Sequence, residues 1–218
     1  MDDEFSERAF STRAVWSGTN HLEGSAVTPI FTTSTYQLND DRYQDWADGG
    51  QHSLIYSRWS SVNSEAVASK VASLEGAEDG ETLASGMAAI SSTLLSMLSK
   101  GDHMVTSADI YGGTYGLLTS DFPRFGIDVT MADIRDPSSF EAAINENTKV
   151  LYVETITNPV LKVCDLEAMA SIAKEHGLIS VVDNTFATPW ACQPISMGFD
   201  VVIHSGTKFL NGHTDLTA

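Results

Sequence analysis

The sequence predicts an α/β fold built on a mostly parallel sheet covered by helices on both faces. Three observations carry this. Short apolar, β-branched runs recur at 103–106, 128–131, 149–154, 179–183 and 200–204, with the length and character of buried strands. Stretches with helical spacing fall between them. With 218 residues, 42% of them hydrophobic and 19% charged, the chain is long enough to bury the core such a sheet requires.

Taken in order, residues 1 to about 55 show weak periodicity. They contain a short extended candidate, Thr28-Pro29-Ile30-Phe31, and a turn at Asp48-Gly49-Gly50. Residues 1–60 therefore read as an arm, and 61–218 as a domain. From Asn63 onward, Val67, Val71 and Leu74 share one helical face and Gly76 is a stop. A second helix opens at Gly86, carries Met87, Ile90, Leu94 and Leu98 in register, and closes at Gly101. A third, over 166–176, is capped by Asp165 and stopped by Gly177. Ala218 follows Lys208 by only ten residues, so the α/β domain is expected to be incomplete.

Composition excludes several classes of function. A net charge of -17 argues against nucleic acid, whose phosphates demand basic surface. No apolar stretch reaches the length of a membrane span, and the acidic opening Met1-Asp2-Asp3-Glu4 is wrong for a leader, so a cytoplasmic protein is expected. Cys164 and Cys192 have no metal-ligand spacing, and the six histidines are scattered, so no metal is expected.

The densest chemical signal is Val202-Ile203-His204-Ser205-Gly206-Thr207-Lys208-Phe209. A hydrophobic strand runs into a turn with two hydroxyls and a lysine, where ligands sit in open α/β sheets. Lys208 there can form a Schiff base with a carbonyl cofactor while Ser205 and Thr207 bind an anionic group. An ordinary solvated lysine is the plain alternative. Ser180-Val181-Val182-Asp183-Asn184-Thr185-Phe186 puts a carboxylate at the end of the preceding strand. Asp183 suits a pyridinium nitrogen, or equally a helix cap. Ser85, Gly86 and Met87 open a helix whose unpaired N–H groups can meet a phosphate, although many helices begin so without a ligand. Tyr111, beside two glycines, can stack on a planar ring or simply pack. Arg58, in Tyr56-Ser57-Arg58, can pair with phosphate or lie solvated at the surface.

These five elements, in this order and with Glu154-Thr155-Ile156-Thr157-Asn158-Pro159 between them, resemble the Cys/Met-metabolism family of pyridoxal-phosphate (PLP) enzymes. That family includes cystathionine γ-lyase, γ-synthase and β-lyase, methionine γ-lyase and the acylhomoserine sulfhydrylases. The resemblance runs from about Thr12 to the end of the chain.

It implies a fold-type-I PLP-dependent transferase-like large domain, with the C-terminal small domain absent. It implies PLP as cofactor and a small sulfur amino acid as substrate. By resemblance, Lys208 holds the cofactor and moves protons, Asp183 pairs with the pyridine nitrogen, and Tyr111 stacks on the ring. Ser85, Gly86, Met87, Ser205 and Thr207 surround the phosphate, while Asn158 and Thr185 lie near the ring. Tyr56 and Arg58 reach in from a neighbouring subunit of a homodimer or homotetramer with shared sites. The implied reaction is γ- or β-elimination or replacement of the cystathionine γ-lyase or γ-synthase kind. Methionine γ-lyase or acylhomoserine sulfhydrylase activity is the alternative, and a non-catalytic cofactor-binding remnant a further one.

Three departures stand out. Ser61-Val62-Asn63 replace the family's Asn-Pro-Thr, and Gly206 replaces an alanine. Gly113 stands where methionine γ-lyases carry cysteine, which together with Gly212-His213-Thr214-Asp215 favours a cystathionine-type enzyme.

Overall fold

Five strands lie in one sheet: β1 (His103–Ser107), β2 (Asp128–Ala132), β3 (Thr148–Glu154), β4 (Ile179–Asp183) and β5 (Val201–Ile203). Their order is β2-β1-β3-β4-β5, and every neighbouring pair is parallel. The five apolar runs read from the sequence are these strands. The structure is a computed structural model and describes residues 5, 7–19, 21–50 and 53–218. The acidic opening at Met1-Asp2-Asp3-Glu4 lies outside the described residues. Two compact units divide the chain, Met1–Thr82 and Leu83–Ala218.

In the second unit, side chains alternate across the sheet as a period of two demands. Val150 and Tyr152 of β3 face one side, with Met104 of β1 and Val181 of β4. Ile90 and Leu94 of helix α4 (Gly86–Met97) pack there, beside Leu118 and Phe122. Leu151 and Val153 face the other side, with Val105 and Val182. Phe140 of α7 (Pro137–Ala143) and Met169 and Ala173 of α8 (Leu166–Glu175) cover them. A central strand buried on both faces reads as a continuous apolar run, which is why β3 was legible. Between β1 and β2, helix α5 (Gly112–Gly116) continues through a π-helical turn, Leu117–Asp121, into the short α6 (Phe122–Phe125). After β4 comes the four-residue α9 (Thr188–Ala191).

Local chemistry sets the helix ends. Ser85 Oγ accepts the Ala88 N–H (3.1 Å) and caps α4. Asp165 Oδ1 accepts the Ala168 N–H (3.1 Å) and caps α8, and Gly177 beyond it takes φ 64°, which suits a residue without Cβ.

The amino ends of the strands are pinned by polar contacts. His103, buried, lies between Thr148 Oγ1 (2.8 Å from Nδ1) and Thr130 Oγ1 (2.9 Å from Nε2). Asp200 Oδ2, just before β5, accepts from the Ser180 N–H (2.8 Å) and hydroxyl (2.7 Å) of β4.

The first unit holds α1 (Phe10–Trp16), α2 (Asp40–Ala47) and α3 (Val62–Glu75). The boundary expected at residue 60 falls inside this unit. Helix α3 begins where Ser61 and Ser64 exchange side chain-to-backbone hydrogen bonds in a capping box, and it ends at Gly76 (φ 76°). Its buried face matches the expected one at Leu74 but not at Val67. Val67 is 53% exposed, whereas Ala68, Ala72 and Leu74 are buried. Small residues turn inward because neighbouring backbone comes close: a Cβ on Gly80 would lie 2.9 Å from the Ala68 carbonyl oxygen.

The extended candidate at Thr28-Pro29-Ile30-Phe31 forms no strand. Asn63 ties it to α3 instead, accepting the Phe31 N–H (2.8 Å) and donating to the Pro29 carbonyl (2.9 Å). Asn63 thus gives one of the departures from the family pattern a structural task.

Candidate active site

The strand order reverses between β1 and β3, since the chain passes from β1 to its β2 flank and then returns to the other side. In an open α/β sheet the crevice at the carboxyl ends beside such a reversal is where ligands bind. Tyr111 follows β1, Asn158 follows β3, Thr185 follows β4, and Ser205, Thr207 and Lys208 follow β5. All leave the sheet at this end.

Hydrogen bonds, strand register and close approaches bring these residues together. The Tyr111 N–H donates to Glu154 Oε1 (2.7 Å), and the Asn158 N–H donates to Glu154 Oε2 (2.9 Å). Glu154 is the register partner of Asp183 across β3 and β4. Asp183 Oδ1 accepts the Thr185 N–H (3.0 Å), and Thr185 Oγ1 accepts the Ser205 N–H (2.8 Å). Ser205 packs on Gly86 so closely that a Cβ there would lie 2.6 Å from the Ser205 Cβ. The next residue, Met87, comes near the Tyr111 loop: a Cβ on Gly113 would meet Tyr111 Cε1 at 2.6 Å and Met87 Sδ at 3.0 Å.

The two carboxylates end apolar rows on one face of the sheet, Val150-Tyr152-Glu154 and Val181-Asp183, so both are desolvated. Burial pushes the Asp183 carboxyl above its ordinary range, against the lowering pull of the Thr185 hydrogen bonds and the nearby His204. Burial also pushes Glu154 up to about 7; the N–H groups of Tyr111 and Asn158 oppose this, and the charge of Asp183 adds to it. Fully buried, the Tyr152 phenol beside both is pushed up and stays neutral. The sequence reading assigned no role to Glu154 or His204. The signals for Glu154 were its place in the Glu154-Thr155-Ile156-Thr157-Asn158-Pro159 motif and a carboxylate closing an apolar run.

A second tie joins the same loops farther out, where Lys162 Nζ meets Asp109 Oδ2 at 2.5 Å. Tyr56 and Arg58 belong to the first unit and are exposed. There the Arg58 guanidinium sits over the rings of Tyr56 (5.4 Å) and Trp59 (5.3 Å).

The family model described as Cys/Met metabolism PLP-dependent enzyme matches residues 11–218. The chain belongs to this Cys/Met-metabolism PLP-dependent enzyme family. It is 39% identical over 223 residues to an L-methionine gamma-lyase of Porphyromonas gingivalis, covering 99% of this chain and 55% of that protein. It is 42% identical over 194 residues to a cystathionine gamma-lyase of Bacillus subtilis, covering 88% of this chain and 49% of that one. The chain spans about half the length of the curated relatives it matches.

Among solved structures, it superposes with TM-score 0.91 and 35% identity on an O-acetylhomoserine (thiol)-lyase of Campylobacter jejuni described as putative. The match covers 95% of this chain and 52% of that one, which was solved with N'-pyridoxyl-lysine-5'-monophosphate. Cystathionine gamma-lyase of Lactobacillus plantarum, complexed with L-serine, gives TM-score 0.87 at 37% identity, covering 96% of this chain and 53% of that one. The fold is therefore fold type I, the large domain of PLP-dependent enzymes.

The residues at the strand ends of this family member fit the family's cofactor. Three donors converge on one oxygen: the Thr207 N–H (3.3 Å), the Thr207 hydroxyl (3.0 Å) and the Ser205 hydroxyl (3.3 Å) all point at the Ala218 carbonyl oxygen. Hydroxyl and N–H donors that converge in this way are what a phosphate oxygen requires. The first N–H groups of α4, beside Ser205, have no acceptor within the helix. Lys208 is exposed, in a turn where its ψ of -131° leaves the helical range, and its ammonium makes no hydrogen bond or ion pair among the described residues.

Proposed function

We propose that the chain forms the cofactor-binding part of an enzyme that eliminates or replaces a substituent at Cγ or Cβ of a sulfur amino acid, of the cystathionine kind. The observation that carries this reading is the gathering of Tyr111, Asn158, Asp183, Thr185, Ser205, Gly86 and Met87 at the carboxyl ends of the strands, several of them tied by direct hydrogen bonds. When bound, PLP supplies an electron sink for the substrate carbanion.

The residues divide the remaining work. Ser205, Thr207 and the N–H groups of Gly86 and Met87 hold the phosphate, and Ser85 leaves those N–H groups free by capping α4 through Ala88. Asp183, oriented by Thr185, offers its carboxylate to the ring nitrogen and keeps a proton there. Tyr111 covers one ring face, and Asn158 lies near the ring hydroxyl. Lys208 binds the cofactor through Nζ. As a free amine, Lys208 Nζ would take the proton from Cα and, for γ chemistry, a second from Cβ. Tyr56 and Arg58 serve the phosphate of a neighbouring subunit in a homodimer or homotetramer. Cys164 and Cys192 are not joined in a disulfide, which suits the reducing cytoplasm.

A second reading, methionine γ-lyase, is supported by the identity to the Porphyromonas gingivalis protein. Gly113 supports the cystathionine kind, because a side chain there would displace the Tyr111 ring. Borohydride reduction of the cofactor-loaded protein, followed by peptide mapping, tests the site: the pyridoxyl group is expected on Lys208. Label on Lys162 or Lys174 instead would overturn it. Product analysis with cystathionine, methionine and O-acylhomoserines then separates the two readings.

A further inference from the structure

Glu154 is 4% exposed, and burying a carboxylate is costly unless each oxygen is satisfied. It has no cationic partner among the described residues. Each oxygen instead takes one main-chain N–H, and the two come from different loops: Tyr111 after β1 and Asn158 after β3. An apolar residue continuing the Val150-Tyr152 row would leave both N–H groups without these acceptors. A glutamine would present an amide donor to one of them. Only a carboxylate satisfies both at once.

The loops it joins are those at the strand-order reversal, and little else ties them across the crevice. The Asp109–Lys162 ion pair is a second tie, on the outer side of the same two loops. Inside the second loop, the Thr157 hydroxyl accepts the Lys162 N–H (3.0 Å) and holds that outer tie in place.

We propose that Glu154 is a positioning residue, a two-pronged clamp that sets the spacing between Tyr111 and Asn158 across the mouth of the cofactor site. This rests on the reading of Tyr111 and Asn158 as cofactor neighbours. Both of its oxygens are taken up by these N–H groups, so it acts through the backbone of Tyr111 and Asn158.

The test has three arms on the full chain. In the first, without cofactor and without any substitution, the amide proton resonances of Tyr111 and Asn158 are followed by NMR from pH 5 to 9. Both should move together with one midpoint near 7, where Glu154 titrates. Asp183 on β4 and Tyr152 on β3 are the titratable groups facing it, and the Asp109–Lys162 pair lies on the outer side. PH-independent resonances, or two unrelated midpoints, would overturn the clamp.

In the second arm, Glu154→Gln should raise amide exchange roughly ten-fold at whichever of Tyr111 and Asn158 faces the new NH2 group, the loss expected for a hydrogen bond to a charged group, while the sheet amides stay protected. Unchanged exchange would overturn the clamp. In the third, PLP is titrated into both proteins and followed by absorbance. The variant should bind roughly ten-fold more weakly. Raised exchange with unaltered PLP affinity would show a purely structural tie and overturn the positioning role. If PLP leaves the Tyr111 and Asn158 resonances of the unsubstituted chain unmoved, it is the cofactor-site reading that fails, and the first two arms still decide the clamp.

Discussion

Glu154 and Asp183 stand side by side as register partners at the carboxyl ends of β3 and β4, two buried carboxylates on one face of the sheet. Like charges so placed resist ionising together, which is why each raises the other's cost of ionisation.

The pair makes the stability of the cofactor-free protein fall with rising pH. Glu154 moves from 4.5 to about 7 on folding. Its contribution is fully present below pH 4.5 and is lost as pH rises through about 7. At 1.36 kcal/mol per unit, the difference is on the order of 3 kcal/mol. Urea unfolding at pH 5 and pH 8 should show it. Asp183→Asn removes the neighbouring charge and should shrink the difference; an equal pH dependence in that variant would mean the two carboxylates are not coupled.

His103 works in the opposite direction. Burial lowers its pKa, with the charge of Asp128 opposing, so the folded state prefers the neutral ring. That contribution is complete above pH 6.5 and is lost as the pH falls below it. His103→Leu should cost about 2 kcal/mol by stripping partners from the Thr130 and Thr148 hydroxyls. It should also flatten the loss of stability below pH 6.5. Chemical denaturation at pH 5 and 7 checks both, and turnover should be unaffected because the residue sits at the far end of the sheet.

Gly86→Ala places a methyl 2.6 Å from the Ser205 Cβ, so α4 and the β5 loop must separate. Overpacking of this kind costs about 1–3 kcal/mol. If α4 and Ser205 hold the phosphate together, PLP affinity should fall roughly ten-fold or more, read by absorbance titration of the cofactor-free protein. Normal affinity would mean that this close approach serves packing alone.

Shared sites predict complementation. Full-length Arg58→Ala and Lys208→Ala proteins should each be inactive or nearly so. Dissociated, mixed and reassociated, they should regain roughly a quarter of the sites by random pairing across a two-fold interface. No recovery from a mixed oligomer would place Arg58 in its own chain's site or outside any site.

What could be read from the sequence was what local chemistry decides. The five strands appear as β-branched runs, and their bounds hold to within a residue or so because burial on both faces leaves little ambiguity. Helices α1 and α2 were missed because neither buries a side chain: α2 is mostly polar and forms behind the Asn39 cap, whose side chain accepts the Arg42 N–H (2.9 Å). The face of α3 was misread at Val67 because that residue outranks Ala68 in hydrophobicity, while close backbone approach selects the alanine. Asp183 and Lys208 were noticed as candidates because each residue type, at a strand end, points to its own chemistry, and both do lie at the carboxyl end of the sheet. Glu154 was not, because its partner is far away in sequence and only the register of β3 against β4 brings the two together.

The polar pins at the amino ends of the strands have a consequence of their own. His103 with its two threonines, and Asp200 with Ser180, lock the sheet from the end opposite the loops that carry the chemistry. The crevice loops are therefore free to diverge toward new substrates without loosening the frame beneath them. Conversely, heat-hardening substitutions can be confined to the pinned end and leave the reaction alone. Part of the fold's durability is thereby set at the end of the five strands away from the crevice.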